Sequence, residues 1–310
     1  MIQKFCALTI LLVSSLSLFA QEKKDTTVKV DANYITLSEI VVNNKLDVPS
    51  FIERVKNDTT FYKAFRNLRI IGYTALNDIR MLDKKGNTQA GLHSKTRQMR
   101  TQNCRRMEVL EQTHSGDIFD KNGNYNYYTA QMYAGLFFTK DSVCGEDNIV
   151  KGHEFSTNGL SGMEKHKEQL KMLFFNPGKK INGLPFISNK TAVFDESMAD
   201  KYDMAIDFRD YNNHPCYVFT INVKDDKKSG VVINEMTTWF NEKTFEIVAR
   251  NYSLSYDAGV YDFKVDMEVQ MTKVGDLLVP ALLSYNGNWK AIFKKRERGV
   301  FTATLFDFAK

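Results

Sequence analysis

Nothing in this chain of 310 residues is spaced to hold zinc or to cycle thiols, because its four cysteines include no C-x-x-C pair. Cys6 lies inside the N-terminal apolar segment and not directly after a small-residue cleavage site, so no lipid-attachment cysteine is read. Cys104, Cys144 and Cys216 form an odd, widely spaced set. At most one bridge is available among them in an oxidising compartment, and all three pairings stay open. Histidine is also scarce. His93, His114, His153, His166 and His214 are scattered, and neither His153-Glu154 nor the pair Glu164 and His166 has a second pair at metal-site spacing. The chain is therefore expected to carry no metal and no cofactor.

Catalytic signatures are missing as well. There is no glycine-rich phosphate loop, and Gly159-Leu160-Ser161-Gly162-Met163 has glycine directly after the serine, which does not fit the G-x-S-x-G elbow of a hydrolase. Glu108, Glu111 and Asp117 are the carboxylates that a glycosidase-type acid and base would draw on. With no signature around them they read as charged surface, and the chain is expected not to be an enzyme. The formal net charge of +5 is mild and dispersed, which argues against a nucleic-acid partner. The richest basic run, Lys294 to Arg298, sits between two apolar runs and reads as a solvated hairpin tip.

Residues 1–20 have the grammar of a cleaved secretory signal: Lys4, an apolar stretch from Ala7 to Phe19, and Leu18-Phe19-Ala20 before a polar run. The apolar stretch falls short of the roughly 20 residues that a spanning helix needs, and no other segment is long and apolar enough to span. The expected location is the periplasm or the outer membrane's surface, with the mature chain soluble. Residues 21–46 read as a flexible lead with one extended segment, Ile35 to Val42, placed to dock on the body of the domain. From residue 47 to 310 the chain reads as a single domain, interrupted by a helical and loop-rich insertion around 130–190.

What fills that domain is alternation. Between Tyr261 and Met271 the odd positions are apolar and the even ones charged or polar, the pattern of a strand with one dry face. Similar runs at 69–83, 87–102, 105–113, 202–208, 217–223, 231–240, 245–256, 277–285, 289–296 and 300–308 are separated by turn clusters such as Asp120-Lys121-Asn122-Gly123-Asn124 and Asn286-Gly287-Asn288. Short connections make sequence neighbours pair antiparallel. Pro49, Phe51, Ile52 and Val55, followed by Phe61, Phe65 and Leu68, recur at helical spacing with Asp58-Thr59 as a cap between, which predicts an amphipathic helical lid. A further helix is predicted over 161–174. The fold class is mainly β with some α: a curved antiparallel sheet covered by a few short helices.

Two segments carry a family resemblance. Met236-Thr237-Thr238-Trp239-Phe240-Asn241-Glu242-Lys243-Thr244-Phe245-Glu246-Ile247 resembles the strand-turn-strand of periplasmic outer-membrane lipoprotein carriers, and Gly275-Asp276-Leu277-Leu278-Val279-Pro280 resembles a later strand start of that superfamily. The resemblance covers residues 50–110 and 200–308. It implies an unclosed half-barrel whose concave side encloses an apolar cavity for acyl chains or another hydrophobic ligand. The characteristic latch residues of a carrier have no counterpart in this chain. Leu37-Ser38-Glu39-Ile40-Val41-Val42 resembles a short segment near the start of some outer-membrane receptor systems.

The aromatic and methionine load is heavy, with 22 Phe, 14 Tyr and 12 Met, and methionine lines adaptable apolar sites well. Met204, Ile206, Phe219, Ile221, Met236, Phe263, Val265, Met267 and Val269 are expected on one surface of the curved sheet and are the candidate ligand-binding residues. The function expected is non-catalytic binding of a lipid-like or acyl ligand in the cell envelope. The alternative is a protein-interaction module of an outer-membrane complex that adds the Leu37 to Val42 segment to a partner's sheet.

Overall fold

A computed structural model describes residues 25–150, 173–180, 187, 189–259, 261–291 and 295–310. The expected signal at 1–20, nearly all of the helix expected at 161–174, the Gly159 to Met163 motif, His153 and His166 lie outside the described residues.

One sheet dominates. Its strands are β1 (Thr26–Val30), β2 (Asn33–Leu37), β3 (Gly72–Leu82), β4 (Thr88–Thr101), β5 (Cys104–Ser115), β6 (Ser142–Cys144), β7 (Tyr202–Tyr211), β8 (His214–Val223), β9 (Ile233–Asn241), β10 (Ile247–Asp257), β11 (Tyr261–Val274), β12 (Leu277–Ala291) and β13 (Glu297–Ala309). They run in the order β1-β2-β7-β8-β9-β10-β11-β12-β13-β3-β4-β5-β6. Every pairing is antiparallel except β2 with β7. The two ends, β1 and β6, do not pair with each other, so the curved sheet stays open as a half-barrel. Among the described residues four short α-helices accompany it: α1 (Glu39–Asn43), α2 (Val48–Asn57), α3 (Thr60–Asn67) and α4 (Tyr128–Phe137).

Turn chemistry sets the meander. Asp83 and Asp120 open two loops of the same form, D-K-x-G-N. In each, the aspartate carboxylate accepts the backbone N–H two and four residues on, at 2.7 and 2.9 Å for Lys85 and Asn87, and at 2.8 Å for both Asn122 and Asn124. The glycines take φ of +86° and +80°, which favours a residue without Cβ. Asn212 and Asn213, at φ 49° and 64°, join β7 to β8 in a two-residue loop with both residues left-handed, the geometry that matches strand twist.

Three expectations give way. Residues 25–46 are no flexible lead: β1 and β2 form a hairpin, β2 pairs with β7 on its other side, and Ile35, Leu37 and Val41 are buried. The segment expected to add to a partner's sheet is already within this one, because its apolar side chains find the chain's own core first. Ile40 and Val42 remain exposed on α1. Second, Asn286-Gly287-Asn288 is not a turn; β12 runs straight through it. Each of the three pairs with β11 on one side and β13 on the other. A Cβ at Gly287 would stand 2.5 Å from the Tyr285 hydroxyl oxygen, so this glycine makes room for a neighbouring ring. Third, the basic run at Lys294 to Arg298 is only in part a solvated tip. Arg296 donates to Asn288 at 2.6 Å and to Asp262 at 2.5 Å, and Glu297 turns inward to α4.

Helices α2 and α3 begin where expected, whereas α1 and α4 were not predicted as helices. Asp47 accepts the Ser50 N–H at 3.1 Å, capping α2 just ahead of Pro49. Asp58 accepts from Thr60 at 3.2 Å and from Phe61 at 3.4 Å, capping α3. Cys104 and Cys144 form a disulfide that joins β6 to β5, and Cys216 is a buried free thiol.

Candidate functional site

Register brings the expected face together. Ile35 stands opposite Met204, Met204 opposite Ile221, Ile221 opposite Met236, and Met236 opposite Tyr252. The row continues through Met267, Tyr285, Phe301, Ile79 and Leu92. Flanking it are Ile206 opposite Phe219, Leu254 opposite Val265, and Tyr256 opposite Phe263. Met204, Ile206, Phe219, Ile221, Met236, Val265, Met267 and Val269 are all buried, and Phe263 is half-buried. On β11 the neighbours Lys264 and Asp266 are exposed, so the dry face and the wet face alternate as the sequence requires.

The helices cover this row. Phe51 of α2 meets Tyr217, Phe219 and Phe240 at ring-centroid distances of 6.1, 6.2 and 5.3 Å. Phe61 of α3 meets Tyr252 at 6.4 Å, and Tyr133 of α4 lies 4.0 Å from Phe301 and 4.9 Å from Tyr285. Helices of 10, 8 and 10 residues do not persist alone in water; their apolar stripes hold them on the sheet. Glu297 anchors the start of α4, accepting the N–H groups of Tyr128 at 3.0 Å and Thr129 at 2.7 Å and the Thr129 hydroxyl at 2.6 Å. A charge-assisted acceptor at a helix N-terminus also meets the favourable end of its dipole.

Polar groups punctuate the apolar face. Burial pushes the phenols of Tyr133, Tyr252 and Tyr285 above the ordinary tyrosine range. The Tyr133 hydroxyl has no hydrogen-bond partner among the described residues. Arg250, 5% exposed, sits on β10 one inward position before Tyr252; its Nε donates to Thr238 Oγ1 at 2.9 Å and its guanidinium lies 4.3 Å from the Phe61 ring centroid. Lys179 lies nearby, its ammonium donating to the Lys56 carbonyl. Burial, then the positive charge of Arg250, against the opposing pull of Asp58, draws the Lys179 ammonium down to about 8.

None of three prominent clefts among the described residues is lined by the nine candidate residues. The first, about 750 Å³, opens at the α2–α3 junction and is lined by Arg54, Asn57, Asp58, Thr59 and Thr60 among others. A second of about 640 Å³ lies at the edge end of β3 and β4, by Tyr73, Gln98 and Lys310. The third, about 140 Å³, lies between α3 and α4 with Phe65, Phe137 and Phe175 as walls and Gln98, Arg105 and Glu146 at its polar side. There Glu146 accepts from Arg105 at 2.5 Å and lies 3.1 Å from Arg69. Burial alone would raise its carboxyl, yet the Arg105 bond and the charges of Arg69, Arg105 and Arg66 hold it below the usual carboxylate range. Glu108, Glu111 and Asp117 are exposed, Glu108 opposite Arg97 and Glu111 opposite Lys95, and Asp117 accepts the Tyr127 hydroxyl at 2.5 Å.

The sequence reading did not single out Tyr252, Tyr285, Phe301 or Arg250. The signal was present for the first and last: with Tyr252 and Leu254 facing in, period-two alternation puts Arg250 inward as well.

No family model matches the chain, and no curated protein matches it. Two solved structures overlay on it. An outer-membrane lipoprotein-sorting protein domain from Vibrio parahaemolyticus aligns at 8% identity over 83% of this chain and 88% of its own, with a TM-score of 0.25. A DUF1329 family protein from Desulfovibrio piger aligns at 12% identity over 81% of this chain and 93% of its own, with a TM-score of 0.24. Overlaps this loose carry no argument. The half-barrel rests on the chain's own strand order and curvature.

Proposed function

We propose that this protein is a non-catalytic envelope protein that holds a hydrophobic, lipid-like or acyl ligand between the concave face of the half-barrel and its covering helices. The observation that supports the reading is the unbroken inward row from Ile35 to Leu92, capped by three short helices instead of a second sheet. A sheet packed on a sheet interlocks along its whole length. Separate helices of two to three turns leave and return one at a time, since each contributes only its own apolar stripe. Met204, Met236 and Met267 stand in the row at intervals, and their unbranched thioethers re-pack around a guest with little rotamer cost. In this reading the burial of eight of the nine residues, with Phe263 half-buried, is the closed, unliganded form, and an acyl chain takes the place of helix side chains against the sheet.

Native mass spectrometry and organic extraction of protein purified from its own host test this directly. A co-purifying amphiphile is expected, together with uptake of an apolar fluorescent dye by the delipidated protein. Absence of both a co-purifying amphiphile and dye uptake would overturn the reading.

A further inference from the structure

We propose that Arg250, with Lys179 beside it, is the counter-charge for the anionic head group of the bound amphiphile, a carboxylate or phosphate on an acyl tail; this rests on the ligand-binding reading above. A guanidinium offers five N–H donors in a planar fork. Among the described residues Arg250 uses one, Nε to Thr238 Oγ1, and Phe61 covers one face of the plane. The terminal nitrogens, which form the bidentate edge that carboxylate and phosphate fit, make no hydrogen bond among those residues. The acid whose field reaches Arg250 is Asp58. Its oxygens are already occupied in capping α3, by Thr60 N–H, by the Thr60 hydroxyl at 2.6 Å and by Phe61 N–H.

One buried cation and one half-buried cation thus share one engaged carboxylate. A charge taken out of water without a partner costs several kcal/mol, which an incoming anion offsets. Position agrees with chemistry. Arg250 is one inward step along β10 from Tyr252 in the apolar row, directly opposite Thr238 and Val269. Phe61, stacked on its guanidinium, begins α3, and the cleft of about 750 Å³ opens at that α2–α3 junction. Asp58, Thr59 and Thr60, which line that cleft, immediately precede Phe61 in the chain, and the proposal takes this junction as the way in for a head group whose tail follows Met236, Tyr252 and Met267 along the sheet.

The test is displacement of a neutral apolar dye from the full mature chain by amphiphiles with the same twelve-carbon tail: dodecyl phosphate, laurate and uncharged monolaurin, with inorganic phosphate alone as a fourth arm. Wild type is expected to favour the two anions over monolaurin by about tenfold, the scale of one charge-assisted pair. Arg250→Gln should abolish that preference and leave monolaurin affinity within about twofold, and Arg250→Lys should keep part of it. Inorganic phosphate should not displace the dye; displacement as strong as by dodecyl phosphate would assign a free-anion site and overturn the head-group proposal. Equal affinity of wild type for monolaurin and dodecyl phosphate overturns it without any variant, and leaves the ligand-binding reading standing. Failure of wild type to take up any of the three amphiphiles removes that reading and this one together. Equal loss for charged and neutral ligands in a folded Arg250→Gln would reduce Arg250 to a structural role.

Discussion

Lys264 and Val265 are adjacent in sequence and opposite in environment, and that contrast can be measured. Val265 and Met267 are buried under Leu254 and Tyr252 across the strand pair, whereas Lys264 is exposed. Val265→Asp or Met267→Asp places an unpaired carboxylate in an apolar setting and is expected to cost several kcal/mol. Lys264→Ser should change stability by no more than about 0.5 kcal/mol. Denaturant unfolding of these variants reads both values, and equal damage from both faces would refute the half-buried strand. Met267→Ala separates filled core from ligand site: a residue that only fills core loses roughly 2–5 kcal/mol on such truncation, whereas a guest's wall loses ligand retention by more than it loses unliganded stability. Residues of this kind were legible because a strand's alternation states its buried face outright. Arg250 was not, because a charged residue at an inward position contradicts the pattern until its partners are seen.

Among the elements, α4 shows why local grammar runs out. Its N-cap position is Tyr127, which makes no side-chain cap, and the acceptor for its first N–H groups is Glu297, far along the chain on β13. No motif within the helix announces such a cap. Glu297→Gln keeps the shape but removes the charge from three hydrogen bonds, and a loss of about 1–2 kcal/mol is expected. Thermal unfolding monitored by Trp289 fluorescence suits the test, since the Trp289 Nε1 donates to Thr129 Oγ1 at 2.5 Å at the same corner. An unchanged midpoint would show that α4 is held by its aromatic contacts alone. The capped helices α2 and α3 and the hairpins with D-K-x-G-N or Asn-Asn loops were legible for the opposite reason, since each carries its own cap or turn acceptor within a few residues. The strand through Asn286 to Asn288 was misread because pairing on both sides overrides turn propensity.

For the molecule as a whole, the concave face is rich in phenols that burial keeps protonated. The hydroxyl of Tyr73, near the start of β3, is pushed up to about 12 by burial against the weaker opposing pull of Arg105, and those of Tyr133, Tyr252 and Tyr285 are raised as well. In an unfolded chain they ionise near 10. The folded chain therefore holds these protons longer. Their contribution is fully present below about pH 10 and is lost as pH rises from there through about 12. Ultraviolet titration of tyrosine should show the buried set ionising above the ordinary phenol range and together with loss of structure. A single smooth titration with the fold intact would contradict the burial of that face.

The strand order also dictates a schedule. β13, made after every other described strand, is the one that joins β12 to β3 and so unites the two parts of the sheet. Until it arrives, β3 and β12 each present an open edge, and the contact that ties them spans nearly the whole described chain. Pairings between such distant segments form late and slowly, so the nascent protein passes through a stage in which its greasy inner surface is uncovered. A chain with this strand order keeps two unpaired edges until β13 is in place, and any truncation that removes β13 leaves two separate parts of the sheet with unpaired edges in place of a slightly smaller protein.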